Sequence, residues 1–210
     1  MAREQKLPVY WSEACVAVSG RCPILRRIIF AHPRVGLRQS PGAPFKTLAR
    51  AIVGQQISVK AAQTIWDRTL KAVPMTPASV LLTDESILRD AGNSRQKIAY
   101  LKDLADAILN GRVHPRQWLK MTDDEVITDL TAIKGIGRWT AEMYLIFSLM
   151  RPNVFPVGDR GLVRAIETHF HGGAAQTLSA IDRYRERWHP WNTVATWYLW
   201  RSLDPQPVEY

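Results

Sequence analysis

Apolar residues in this chain recur every three or four positions, and no stretch alternates convincingly between apolar and polar. That periodicity confines the fold to packed helices. Phe45, Leu48 and Ile52 mark one helix, which Gly54 interrupts, and Ser58 is placed to cap a second that buries Val59, Ala62, Ile65, Trp66 and Leu70. Pro74 and Pro77 mark a loop, Thr83 opens a short helix, and Gly92-Asn93 ends it. Ser94 caps the next helix, which buries Ile98, Leu101, Leu104 and Ile108 before Asn110-Gly111 stops it. Thr122 with Glu125 three positions later forms a capping box. A helix from about 138 to 149 is apolar on nearly all sides and therefore central. Asp159 precedes a helix with Leu162, Val163, Ile166 and Phe170, which Gly172-Gly173 ends. The last helices span about 175–187 and 190–202, the latter with Pro190 at its first position. The fold class is all-α, with about ten helices.

The chain has 210 residues, enough for a core without disulfide or metal staples. Lys and Arg number 28 against 19 Asp and Glu, a net charge of +9 that favours a polyanionic partner. Cys15 and Cys22 are the only cysteines, which fits a reducing compartment and no disulfide framework. No signal-like N-terminus and no apolar run of about 18 residues is found, so the expectation is a soluble cytoplasmic protein, associated with the nucleoid if bacterial.

The most informative stretch is LTAIKGIGRWTA, residues 130–141. Two helices joined by Gly135-Ile136-Gly137 would present the second helix's N-terminal amides at the surface. Glycines let an anion approach the backbone closely, and the amides with the helix dipole make a phosphate site that ignores base sequence. Lys134 and Arg138 flank the turn, and Thr140 lies in the first helical turn. A lone Gly-x-Gly would be an ordinary tight turn. The capping box, basic flanks and overall charge favour phosphate binding instead.

The run LTAIKGIGRWTAEMYLIF followed by VFPVGDRGLVRAI resembles the helix-hairpin-helix, Gly/Pro-rich loop and aspartate signature of the endonuclease III superfamily of DNA glycosylases. RAIVGQQISVKAA and RWHPWNTVATWYLWRS are similar to its 3-methyladenine DNA glycosylase II branch, the likeness covering about residues 45–202. The resemblance implies two helical subdomains flanking a DNA- and base-binding cleft. One, 42–153, would carry the hairpin (about 122–149). The other, 1–41 plus 154–210, would carry the aspartate and the Trp-rich C-terminal helix.

Alone, Asp159 reads as a helix N-cap. Its place twenty-two residues after Gly137 matches the family's catalytic carboxylate. A fixed negative charge there would stabilise the oxocarbenium-like sugar formed as the base leaves, and could orient water. Bifunctional members carry a lysine at the position of Trp139; without that amine no Schiff base forms, and a monofunctional enzyme without AP-lyase activity is implied. The family's pocket positions fall on Trp139, Met143 and Trp200, with Met143 replacing an aromatic. Indole faces suit electron-poor or cationic alkylated purines. The loop Gln55, Gln56, Ile57, Ser58 matches the wedge that fills the stack when a nucleotide is flipped, Gln56 being the inserted residue.

The cysteines are too few for an iron–sulfur cluster, and His32, His114, His169, His171 and His189 show no metal-ligand spacing. No cofactor or metal is required; a monovalent cation at the hairpin is the one ion this reading allows. The expected partner is double-stranded DNA containing damaged bases, bound by a monomer away from membranes. The expected activity is hydrolytic removal of 3-methyladenine-type purines. Two alternatives stay open: a glycosylase for uracil, hypoxanthine or a mismatch, and a non-catalytic helix-hairpin-helix DNA-binding module.

Overall fold

The computed structural model describes residues 7–33, 36–39 and 42–204. Among these, every regular element is helical. The helices are α1 (Trp11–Arg21), α2 (Pro23–Ala31), α3 (Pro44–Gly54), α4 (Val59–Ala72), α5 (Pro77–Leu82), α6 (Glu85–Asp90) and α7 (Arg95–Leu109). They continue with α8 (Asp123–Thr131), α9 (Arg138–Phe147), α10 (Arg160–Phe170), α11 (Leu178–Asp182), α12 (Tyr184–Trp188) and α13 (Asn192–Leu203). None is long and apolar enough to cross a membrane.

The chain divides into two compact units: Met1–Ser40 with Leu145–Glu209, and Pro41–Tyr144. The expected first boundary, at residue 41, lies outside the described residues. The second passage falls within α9, between Tyr144 and Leu145, and not near 153.

In the first unit α13 is the central helix, packed on α1, α2, α10 and α12. Every residue from Asn192 to Leu199 is buried. Trp11 of α1 meets Trp197 edge-on at 5.5 Å, an arrangement aromatic quadrupoles favour. In the second unit α7 has that place, packed against α3, α5 and α6. Its Ile98, Leu101, Leu104, Ala105 and Ala107 are fully buried. Trp118, also fully buried, lies edge-on to Tyr144 at 5.2 Å and donates its indole N–H to the Asp129 carboxylate.

Local signals set most helix starts. Ser58 accepts from the Ala61 N–H, Ser94 from Lys97, and Thr122 with Glu125 closes both halves of the capping box. Four expectations need correcting. Pro77 does not sit in a loop but starts α5 behind a Thr76 cap, and a proline at the first helical position loses no hydrogen bond. Thr83 ends α5, and Asp84 caps the following helix. The helix expected over 175–187 is two short ones, and α13 begins at Asn192, leaving Pro190 outside it.

Candidate active site

Asp159 is the N-cap of α10 and is 9% exposed. Its Oδ1 accepts the Leu162 backbone N–H at 2.7 Å and the Trp200 indole N–H at 2.7 Å. These two hydrogen bonds, one of them from the first turn of α10, fix the orientation of the carboxylate. Gly161 leaves room beside the Trp200 bond: a Cβ there would lie 3.1 Å from Asp159 Oδ1 and 3.2 Å from Trp200 Cδ1, closer than ordinary contact.

Asp159 is reached through a connector held from α13. Thr193 Oγ1 donates to the Arg151 carbonyl (2.6 Å) and accepts the Val154 N–H (3.0 Å). Asn192 Nδ2 donates to Asn153 Oδ1 at 2.7 Å. Asp159's own N–H closes a turn on the Pro156 carbonyl at 2.8 Å. Thus α13 pins the connector at one end and the carboxylate through Trp200 at the other. Trp200 also stacks on Phe147, with centroids 6.0 Å apart and planes 10° from parallel. Expected as a pocket face, Trp200 is the carboxylate's hydrogen-bond donor, a role invisible in sequence.

The hairpin belongs to the second unit. Gly135 has φ +83°, and a Cβ there would fall 2.1 Å from the Tyr100 ring, so both backbone and packing demand glycine. Gly137 is different: its φ is not positive, and a Cβ would meet nothing within 4 Å. The interior makes no demand on Gly137, which leaves the approach to the first turn of α9 open. Amides in that turn have no carbonyl one turn earlier within the helix. Lys134 is exposed and Thr140 half-buried. Arg138, 60% exposed, already donates through Nε to Glu142 Oε1 at 3.0 Å. The buried Glu142 carboxylate offsets part of the charge Arg138 would bring to a phosphate.

Five of the eight tryptophans (Trp11, Trp66, Trp118, Trp188 and Trp197) are buried as core anchors. Trp139 stands apart at 41% exposed, in the first turn of α9. Met143, one turn later on the same face, is 4% exposed.

The expected wedge loop does not act as one piece. Gln56 is exposed and holds φ +58°, a conformation glutamine seldom adopts. Ile57 is 37% exposed, and Ser58 is spent capping α4. Gln55 turns the other way: its Nε2 donates to the Gly135 carbonyl at 2.7 Å.

Along the chain a helix, a Gly-x-Gly turn and a largely buried second helix are followed by a proline-bearing connector and a capped aspartate. A family model described as HhH-GPD superfamily base excision DNA repair protein matches residues 49–190. The chain belongs to that superfamily, in the branch of the DNA-3-methyladenine glycosylases. It is 35% identical over 165 residues to DNA-3-methyladenine glycosylase 1 of Schizosaccharomyces pombe, covering 76% of this chain and 72% of that one. The crystal structure of a DNA-3-methyladenine glycosidase from Bacillus halodurans is similar with a TM-score of 0.83 and 33% identity, over 91% of this chain and 89% of that one. The S. pombe Mag1 structure in complex with abasic DNA gives 0.80 and 31%, over 94% and 98%.

Proposed function

We propose that the chain is a monofunctional DNA glycosylase of base excision repair that hydrolyses alkylated purines from duplex DNA. The observation that carries this is Asp159: a carboxylate 9% exposed, held at a helix N-terminus by two donors, at the family's aspartate position. Hairpin amides and Lys134 take DNA phosphates, Gln56 enters the stack, and the exposed Trp139 indole offers the flipped base a stacking face.

The C1′–N bond then breaks with its electron pair passing to the base. A cationic alkylpurine is neutralised by that pair and needs little protonation, so no cofactor is invoked. Asp159 stabilises the sugar cation left behind. Water adds to C1′ and gives up a proton, and the product is an abasic site on an intact strand. Trp139 offers no amine, so no covalent intermediate forms.

The test is single-turnover excision on duplexes carrying one 3-methyladenine-type lesion. Asp159→Asn is expected to lower the rate by about 10²-fold or more while DNA affinity is retained. Unchanged excision would reduce the chain to a DNA-binding module. Borohydride is expected to trap no adduct, and a trapped one would overturn the monofunctional assignment. A parallel panel with uracil, hypoxanthine and mismatched thymine tests the lesion class, since Met143 stands where the family has an aromatic.

A further inference from the structure

One face of α7 reaches both the Gln-Gln loop and the hairpin. Lys97, Tyr100 and Asp103 follow one another at three-residue spacing, and all are half-buried. Lys97 Nζ donates to the Val53 carbonyl at 2.6 Å, in the last turn of α3, just before the loop. The Tyr100 ring lies against the Gly135 α-carbon, and Gln96 Nε2 donates to the Tyr100 hydroxyl at 2.8 Å. Asp103 divides its carboxylate: Oδ1 pairs with Arg112 at 3.0 Å, and Oδ2 accepts the Lys134 N–H at 2.8 Å. Gln55 closes the circuit through its 2.7 Å bond to the Gly135 carbonyl.

The neighbour of Gln55 is the strained one. A non-glycine residue in the left-handed region is strained and persists only where its surroundings over-determine it. Here Gln56 is held between Gln55, tied to the hairpin, and Ser58, tied to α4.

We infer that Gln55, backed by the Lys97–Tyr100–Asp103 face of α7, is a positioning residue that fixes Gln56 at a set offset from the hairpin's phosphate-binding amides. The grip on the backbone then determines where the wedge enters the stack. This rests on the proposed wedge role of Gln56 and on phosphate binding by the hairpin. Gln55 itself stays out of the DNA.

A double-variant cycle tests it. Base flipping is read from 2-aminopurine placed beside the lesion, excision from single turnovers, and grip from affinity for undamaged duplex, all below the melting transition of each variant. Gln55→Leu is expected to lower flipping and excision by about 10- to 100-fold, as a misplaced group of ångström order would, with undamaged-duplex affinity within about threefold of wild type. Gln56→Ala is expected to lose flipping as well. The double variant is expected to be no worse than Gln56→Ala alone, because an anchor without its wedge has nothing to position. Multiplying losses, or wild-type flipping in Gln55→Leu, would overturn the inference. Wild-type flipping in Gln56→Ala would instead remove the wedge reading, and the inference with it. Should Gln55→Leu fail to fold, Lys97→Met releases the other tie to the loop and is expected to give the same pattern.

Discussion

At the scale of single residues, the bonds that matter most join positions far apart in sequence. Asp159 could be read as a cap from its neighbours, but Trp200 reaches it across 41 positions. Replacing Trp200 by Phe keeps a ring against Phe147 and removes only the indole donor. Excision is expected to fall by about 10- to 100-fold through kcat, with lesion-DNA affinity nearly unchanged, because the carboxylate loses orientation and not charge. A change confined to KM would mean that Trp200 serves only as a stacking face. The same contrast separates Gln55 from Gln56. The family resemblance singles out Gln56, but only the structure gives Gln55 its part: it is bonded to Gly135, while Gln56 is exposed with a positive φ. No local pattern reveals the role of Gln55, because its partner lies 80 positions away.

At the scale of elements, legibility followed the range of the forces. The Thr122–Glu125 box, the Ser58 and Ser94 caps and the Asp159 cap are set within four residues and could be read directly. The starts of α5 and α13 could not, because proline ends one segment as readily as it begins another. The two hairpin glycines looked alike for the same reason, and they predict opposite phenotypes. Gly135→Ala must strain a left-handed backbone and displace Tyr100, so a loss of about 1–3 kcal/mol in unfolding free energy is expected. Gly137→Ala meets no atom; its stability should stay within about 0.5 kcal/mol of wild type while duplex affinity falls. Chemical denaturation alongside a binding titration separates the two. The packing of α10 on α13 carries a pH dependence. Burial, and then the nearby Arg27 charge, hold His169 below the ordinary imidazole value, with Nε2 and Ser202 Oγ 2.8 Å apart. The unfolded chain therefore takes up this proton first, so this contribution to stability is present above about pH 6.5 and is lost as pH falls below it. His169→Gln is expected to flatten the thermal-melt profile as pH falls below about 6.5, and an unchanged slope would assign the acid limb to other groups.

Across the whole molecule the positive charge is unequally shared. The first unit holds 14 Lys and Arg against 8 Asp and Glu, the second 14 against 11. The hairpin belongs to the less basic unit, where the proposed phosphate contacts would combine backbone amides of the first turn of α9 with few side-chain cations. The two flanking cations, equals in the sequence, differ in the fold. Lys134 is exposed and its backbone is fixed by Asp103, whereas Arg138 is held by a carboxylate that is 6% exposed. Each phosphate neutralised contributes about −0.9 to the slope of log affinity against log salt. Lys134→Ala is therefore expected to make that slope shallower by about 1 and to weaken binding to every duplex sequence alike. Arg138→Ala should change it by distinctly less, since the charge it removes is already partly offset by Glu142. Salt titrations of both variants on undamaged duplex decide the matter. A slope change for Arg138→Ala as large as that for Lys134→Ala would mean that DNA draws Arg138 away from Glu142 on binding. In that event Arg138→Ala combined with Glu142→Gln should give the same slope as Arg138→Ala alone.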